Sequence, residues 1–97
     1  MIQSNNNGDE STYGNFDVTY WATANMVEFV SQKSGLGSSN TYEGFYYSPY
    51  DQLIGFQGNQ VEFIEHQSGW IWNEVEGDNW EYIEKITEHW YWFEIHF

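Results

Sequence analysis

Carboxylates are the side chains most able to do chemistry in this sequence, and they concentrate towards its end. Residues 74–97 contain seven of the fifteen acidic residues, beside a single lysine. Six of these carboxylates are candidate contact residues: Glu74, Glu76, Asp78, Glu81, Glu84 and Glu88. A charge run of this kind is usually a solvated face. On a helix, however, carboxylates one turn apart lie about 5–6 Å from each other, a spacing with which they can imitate a phosphate backbone.

The histidines and the remaining reactive residue types form no recognisable catalytic or metal-binding motif. His66, His89 and His96 each lie near a glutamate, but their spacing matches no ligand pattern such as HExxH. The chain has no cysteine, which excludes thiolate sites and disulfides. Ser-His-Asp arrangements, phosphate-binding glycine loops and dinucleotide fingerprints are also missing. We therefore predict no metal, no cofactor and no enzymatic activity.

Aromatic side chains provide a second candidate surface. The chain has six Trp, eight Tyr and seven Phe, more than the interior of so small a domain can hide. Trp70 and Trp72 fall on one face of a predicted strand, close to several carboxylates. This combination fits a protein interface in which aromatic rings supply contact area and carboxylates steer a basic partner. The alternatives are core packing and a sugar-stacking surface.

A helix is the element that would hold the acidic residues in a row. Over residues 79–90, the charged side chains gather within about 100° of one another on a helical wheel and the aromatic and aliphatic ones lie on the other side. Asp78 is a suitable N-cap, and Glu81 follows at the spacing of a capping box. We predict an acidic amphipathic helix over 79–90. Beyond Trp90 the residues alternate, which predicts a closing C-terminal strand.

The rest of the chain predicts another helix and a sheet. Apolar residues between 18 and 34 share one side of a helical wheel, and Gly35 suits a helix C-terminus. Four runs rich in aromatic and β-branched residues then predict a four-stranded antiparallel meander, at 41–48, 52–57, 60–66 and 69–76. The expected fold class is α+β: a helix, the meander, the acidic helix and a C-terminal strand around one core.

The length of 97 residues allows a single domain. We assign residues 15–97 to it and predict that residues 1–14, which are rich in Asn, Ser and Gly, form a flexible N-terminal arm. The first residues lack a basic segment followed by an apolar run, and no apolar stretch of about 18 residues occurs. A cytoplasmic protein without a membrane span is therefore expected.

The charge balance restricts the partner. Fifteen acidic residues face two lysines and no arginine, giving a formal net charge of −13, well beyond the magnitude of about 2–8 that solubility requires. A chain with this charge repels phosphate backbones and anionic lipid. We therefore expect no direct binding of nucleic acid or membranes, and a basic protein as the partner.

At the level of class, this small, cysteine-free and strongly acidic composition resembles the inhibitors that phages and mobile elements make against nucleic-acid-binding host defences. These are the anti-CRISPR, anti-restriction and uracil-glycosylase-inhibitor proteins. The resemblance is compositional and assigns no residue. It implies a DNA-mimic inhibitor that occupies the basic site of a nucleic-acid-binding enzyme or effector complex. Two alternatives stay open: an immunity protein or antitoxin against a basic nuclease toxin, and an aromatic-faced ligand-binding module.

Overall fold

The structure, a computed structural model, describes residues 8–36 and 39–97. These residues form eight strands in one antiparallel sheet. In chain order the strands are β1 (Gly8–Tyr13), β2 (Phe16–Trp21), β3 (Met26–Leu36), β4 (Ser39–Tyr47), β5 (Ile64–His66), β6 (Gly69–Asn73), β7 (Trp80–Thr87) and β8 (Trp90–His96). Their order across the sheet is β1-β2-β3-β4-β8-β7-β6-β5. Two four-stranded meanders therefore meet where β4 pairs with β8.

The predicted α+β fold is wrong, because the described residues contain no α-helix. The first predicted helix, 18–34, corresponds to most of β2, a turn and most of β3. The predicted acidic helix, 79–90, corresponds to β7, a turn and the first residue of β8. Both segments are rich in β-branched and aromatic residues, which fit a pleated strand better than a helix. No helix in this part of the chain has the length and apolar character needed to cross a membrane.

Buried carboxylates explain why the helical period was misleading. Glu28 in β3 and Glu81 in β7 are each only 2% exposed, although a helical wheel assigns both to the solvent side. The opposite face of the same strands carries aromatic side chains. A charged residue on the buried face, with aromatic residues on the other face, removes the alternation of polar and apolar residues that marks a half-buried strand.

The predicted meander agrees with the structure in some positions and differs in one. The runs at 41–48 and 69–76 overlap β4 and β6, and the run at 60–66 ends in the short strand β5. The run at 52–57, in contrast, is part of a loop that ends in a 3₁₀ turn, Phe56–Gly58. The predicted C-terminal strand corresponds to β8, which lies in the middle of the sheet, between β4 and β7.

Part of the predicted flexible arm belongs to the sheet. Residues 1–7 lie outside the described residues, whereas Gly8–Tyr13 form β1 and pair antiparallel with β2 along its whole length. The connecting turn contains Gly14 with a φ of 59°. A left-handed conformation of this kind is easily adopted by glycine, so the sequence allows a tight hairpin at this point.

One face of the sheet, which we call the covered face, contains the core. Its buried hydrophobic side chains are Met26, Tyr46, Ile83, Tyr91, Phe93 and Ile95. Ile54, from the loop 48–63 between β4 and β5, completes this core, and Phe56 and Phe63 pack against it. The loop thus takes the place of the second layer that an antiparallel sheet needs in order to bury one face.

The two buried glutamates bind the 3₁₀ turn of this loop. Glu81 Oε1 accepts a hydrogen bond from the backbone N–H of Phe56 at 2.9 Å, and Glu28 Oε2 accepts one from that of Gln57 at 2.9 Å. Burial raises the pKa of Glu28 to about 7 and the pKa of Glu81 to about 8, because desolvation penalises the ionised form more than these hydrogen bonds favour it.

Asp51 ties the start of the loop to the turn between β7 and β8. Its carboxylate pairs with Lys85 and accepts hydrogen bonds from the Tyr91 hydroxyl at 2.9 Å and the His89 backbone N–H at 3.0 Å. These donors, with Lys85 as the largest contribution, lower the pKa of Asp51 to about 2. The loop is therefore fixed to the sheet at both its beginning and its 3₁₀ turn.

Candidate functional site

The face of the sheet opposite the loop carries a continuous set of aromatic rings, which we call the aromatic face. Alternation along each strand directs these side chains away from the core. The rings are those of Phe16, Phe29, Phe45, Tyr47, Trp80, Tyr82, Trp90 and Trp92. In the register, Phe29 is opposite Phe45, and Phe45 is opposite Trp92. The set therefore crosses the junction between the two meanders.

Neighbouring rings of the aromatic face pack against one another. The centroid of the Phe45 ring lies 5.1 Å from that of Phe16 and 5.6 Å from that of Phe29. The centroid of the Trp90 ring lies 5.1 Å from that of Tyr47 and 6.0 Å from that of Phe29. These separations are typical of favourable aromatic pairs, so the rings restrict each other's orientation.

No second layer covers the aromatic face within residues 8–36 and 39–97. All of its rings are half-buried, whereas the core side chains of the covered face are 0–7% exposed. The rings are shielded at their sides by each other and stay accessible from above. A contiguous apolar patch that is partly exposed is a candidate interaction site, which makes this face the candidate functional surface.

Carboxylates lie among the rings. Glu43 in β4 and Glu94 in β8 are directly opposite each other, an arrangement that is unfavourable for like charges. Lys33 forms an ion pair with Glu94 at 3.1 Å, but Glu43 has no such partner among the described residues. Glu84 accepts a hydrogen bond from the Tyr82 hydroxyl at 2.7 Å. The aromatic face thus combines apolar area with incompletely compensated negative charge.

Two hollows interrupt this face, and each has a carboxylate in its wall. The larger, of about 320 Å³, is lined in part by Ile71, Trp80, Tyr82 and Glu94. The smaller, of about 220 Å³, is lined in part by Phe16, Phe45, Trp92 and Glu43. Rings beside a carboxylate suit a lysine or arginine side chain, because the rings contact its aliphatic stem and attract its cationic head.

The structure separates the predicted acidic row into groups. Glu74, Glu76 and Asp78 lie in the turn between β6 and β7, and Glu88 lies in the turn between β7 and β8, at the other end of the strand. Seven steps along β7 at about 3.4 Å each put roughly 24 Å between the two turns. The six carboxylates therefore do not follow one another at the spacing of helical turns.

The other two members of the predicted row lie on opposite faces of β7. Glu81 belongs to the covered face, where it is 2% exposed and binds the loop. The expectation that it faces solvent is wrong, and its role as a contact residue stays a prediction that would require a partner on the covered face. Glu84 belongs to the aromatic face and is half-buried there, so it is the one predicted acidic residue that the structure places on the candidate surface.

Trp70 and Trp72, the predicted aromatic contact residues, lie together on β6 but not on the aromatic face. In the register Trp70 is opposite Ile83 and Trp72 is opposite Glu81, two residues of the covered face. Both tryptophans are half-buried. Their role as contact residues stays a prediction, and it would require a partner on the side of the sheet that carries the loop.

The sequence contained one signal for the aromatic face. In β8, Trp90 and Trp92 alternate with Tyr91 and Phe93; the tryptophans are half-buried and the other two are buried. This alternation predicts a strand with an aromatic surface on each side. Phe16, Phe29 and Phe45 carry no comparable signal, because they join the surface only through the pairing of β2, β3 and β4.

The three histidines lie in different parts of the sheet. The His66 ring packs against Tyr82 at 6.0 Å, and the His96 ring stacks on Trp80 at 5.8 Å. The ring of His89, in the turn after β7, lies within hydrogen-bonding distance of the backbone carbonyl of Ser48, at 3.0 Å. Within the described ranges, no three His, Asp or Glu side chains are grouped as they would need to be to hold a metal ion.

Comparison of the chain with protein-family models, with curated proteins and with solved structures gives no significant match. Its function is therefore inferred from the geometry and charge described above.

Proposed function

We propose that this protein is a small acidic inhibitor that binds a basic protein through the aromatic face and occupies its nucleic-acid-binding site. The observation that carries the proposal is the aromatic face, which the described part of the chain leaves without a second layer and which has a carboxylate in each of its two hollows. Aromatic rings supply the contact area typical of binding hot spots, and carboxylates select cationic side chains. The proposed role is stoichiometric binding, with neither catalysis nor a cofactor.

Charge favours a basic partner over a second copy of the chain. The formal net charge is −13, and both lysines are already paired, Lys33 with Glu94 and Lys85 with Asp51. Two such chains repel each other when their aromatic faces approach. A surface rich in lysine and arginine is instead attracted across the Debye length, which is about 8 Å at physiological ionic strength.

Nucleic-acid-binding proteins are the class of partner with the most extensive basic surfaces, because those surfaces neutralise phosphates. The acidic turns at the two ends of β7, with Glu76 and Asp78 at one end and Glu88 at the other, extend the negative charge beyond the aromatic face. If the target is a CRISPR effector or a restriction enzyme, the protein is a phage-encoded inhibitor. A nuclease toxin as the target makes it an immunity protein or antitoxin. In each case the site of action is the cytoplasm.

A displacement assay tests the proposal. Fluorescent duplex DNA is bound to a CRISPR effector complex, a restriction enzyme or a basic DNase toxin, and its release is followed by anisotropy. We expect the protein to release DNA from one of these partners at equimolar concentration. The rate of association should fall at least about tenfold between about 50 and 300 mM salt, because screening weakens electrostatic steering. The protein alone should not change the anisotropy of DNA.

Two matched variants test the role of the aromatic face. Glu43→Gln removes the carboxylate of the smaller hollow and should weaken the inhibitor at least about tenfold. Glu62→Gln makes the same change at an exposed position of the loop 48–63, on the other side of the sheet, and should alter the affinity less than about twofold. Inhibition that survives both Glu43→Gln and Trp92→Ala would show that another surface makes the contact. Saturable binding of a neutral oligosaccharide that Trp80→Ala abolishes would instead establish the ligand-binding module.

A further inference from the structure

A groove lies on the covered face beside the loop, on the opposite side of the sheet from the aromatic face. Its volume is about 450 Å³. Strands β2, β3 and β4, the 3₁₀ turn and Phe97 all contribute to it. The side chains that matter for its chemistry are Asp17, Trp21, Glu28, Tyr42, Phe56 and Phe97.

Aromatic rings form much of the groove wall. Tyr42, Phe56 and Phe97 pack together with centroid distances of 5.5–6.0 Å. Trp21 borders the groove from β2, and its indole Nε1–H donates a hydrogen bond to Glu28 Oε1 at 3.1 Å. The faces of aromatic rings carry partial negative charge and attract cations. A cationic group in this groove therefore gains from the rings as well as from the carboxylate.

Glu28 lines the groove and has no cationic partner among the residues that the structure describes. The residue is 2% exposed, and its carboxylate accepts two hydrogen bonds, from Trp21 Nε1–H and the Gln57 N–H, whereas a carboxylate can accept about four. Neither lysine pairs with it, since the ion pairs of Lys33 and Lys85 are made elsewhere in the described chain. Burial raises its pKa to about 7, so the two donors do not fully offset the loss of water.

We propose that this groove is a binding site for an alkylammonium or guanidinium group, the head of a lysine or arginine side chain. Glu28 pairs with the cationic head, the exposed carboxylate of Asp17 attracts it, and the rings of Tyr42, Phe56 and Phe97 contact the aliphatic stem. Apolar packing of the stem combined with a charged head in a polar pocket is the usual way in which long basic side chains are held. The site is independent of the aromatic face, so the failure of either proposal leaves the other intact.

An NMR titration with a lysine analogue tests the site. The probe is Nα-acetyl-lysine methylamide, added to ¹⁵N-labelled protein up to about 20 mM, a concentration at which even millimolar affinity is seen as saturation. We expect saturable shifts of the Trp21 indole N–H and of the Phe56 and Gln57 amides. Nα-acetyl-norleucine methylamide, which has the same stem without the ammonium group, should bind at least about fivefold more weakly.

Matched substitutions separate a built site from diffuse attraction. Asp17→Asn should weaken the lysine probe about threefold to fivefold, whereas Asp78→Asn, the same change at an exposed turn outside the groove, should leave binding unchanged. Glu28→Gln should abolish binding in a protein whose remaining amide signals stay dispersed. Any one of three results would overturn the proposal. The first is that the Trp21, Phe56 and Gln57 signals do not saturate, and the second is that the norleucine probe binds equally well. The third is that Asp17→Asn and Asp78→Asn weaken binding equally.

Discussion

Glu28 and Glu81 have the residue type least expected in a core, yet they connect the loop to the sheet. Each accepts one backbone N–H from consecutive loop residues, Phe56 and Gln57. Leaving such a donor without its partner costs about 1–3 kcal/mol. Gln57 also has a φ of 59°, a left-handed conformation that is unfavourable for a residue with a side chain. The hydrogen bond to Glu28 therefore supports a strained position of the backbone.

The free energy of unfolding should fall as the pH rises from about 5 to 8. The folded pKa values of Glu28 and Glu81, about 7 and about 8, both exceed the ordinary value of 4.5. The folded protein therefore holds more protons than the unfolded chain in this window, and the stabilisation is complete below about 4.5 and lost as the pH passes through about 7 to 8. Urea unfolding at about pH 5, 6, 7 and 8 measures this slope.

A double variant isolates the source of this slope. Glu28→Gln with Glu81→Gln should remove the decline in stability between about pH 5 and 8. Glu62→Gln with Glu65→Gln changes two exposed glutamates and should preserve it. A wild-type protein that gains stability towards pH 8 would contradict the assignment. Asp51 acts in the opposite sense at low pH: with its pKa lowered to about 2, its contribution is lost as the pH falls through that value.

At the scale of elements, the sequence could predict strands where turn residues separate runs of aromatic and β-branched side chains. The positions of β4 and β6 follow in this way, and the alternation after Trp90 predicts β8. The loop 48–63 could not be predicted, since its run at 52–57 has the composition of a strand. The segment forms a loop because Ile54 packs in the core and because its backbone N–H donates a hydrogen bond to the Tyr46 hydroxyl of the sheet. Both contacts depend on the tertiary fold.

Tyr46→Phe should loosen this loop while keeping the aromatic ring in the core. The Tyr46 hydroxyl accepts a hydrogen bond from the Ile54 N–H at 3.1 Å and donates one to the Gln52 carbonyl at 2.8 Å. Its removal leaves two backbone groups unpaired, which we expect to lower the free energy of unfolding by about 1–3 kcal/mol. Urea unfolding measures the loss, and amide hydrogen exchange should become faster at Ile54.

The adjacent tyrosine provides a matched control for this variant. Tyr47 lies on the aromatic face, and its ring packs on Trp90 at 5.1 Å. Tyr47→Phe keeps that contact and should change the free energy of unfolding by less than about 0.5 kcal/mol. Equal effects of the two substitutions would mean that the hydroxyl of Tyr46 does not anchor the loop.

At the scale of the whole molecule, the two faces of one sheet have different environments. One face is closed by the chain's own loop, and the other presents rings and carboxylates. Composition alone predicts the chemistry of a partner, because a net charge of −13 and a surplus of aromatic residues are visible in the sequence. It does not predict which residues meet. Glu43 and Glu94 come together only because β4 pairs with β8, a long-range pairing that local patterns do not encode.

The balance between apolar area and charge on the aromatic face should also control self-association. At about 20 mM salt and pH 8, we expect a monomer in sedimentation velocity, because two strongly acidic chains repel each other. At about 1 M salt the Debye length shrinks to roughly 3 Å, and near the pI of about 4.1 the charge itself disappears. Both conditions remove the repulsion, so the partly exposed rings of the aromatic face should then bring two copies together.

Two tyrosines allow this association to be assigned to a surface. Tyr82→Gln, on the aromatic face, should reduce association at about 1 M salt, whereas Tyr50→Gln, at a position in the loop that is 71% exposed, should not. Equal reduction by both would indicate non-specific hydrophobic contact. A stable dimer already present at about 20 mM salt would show that the aromatic face is paired with itself in spite of its charge. That result would also remove the argument for a basic partner, because the surface would no longer be free to bind one.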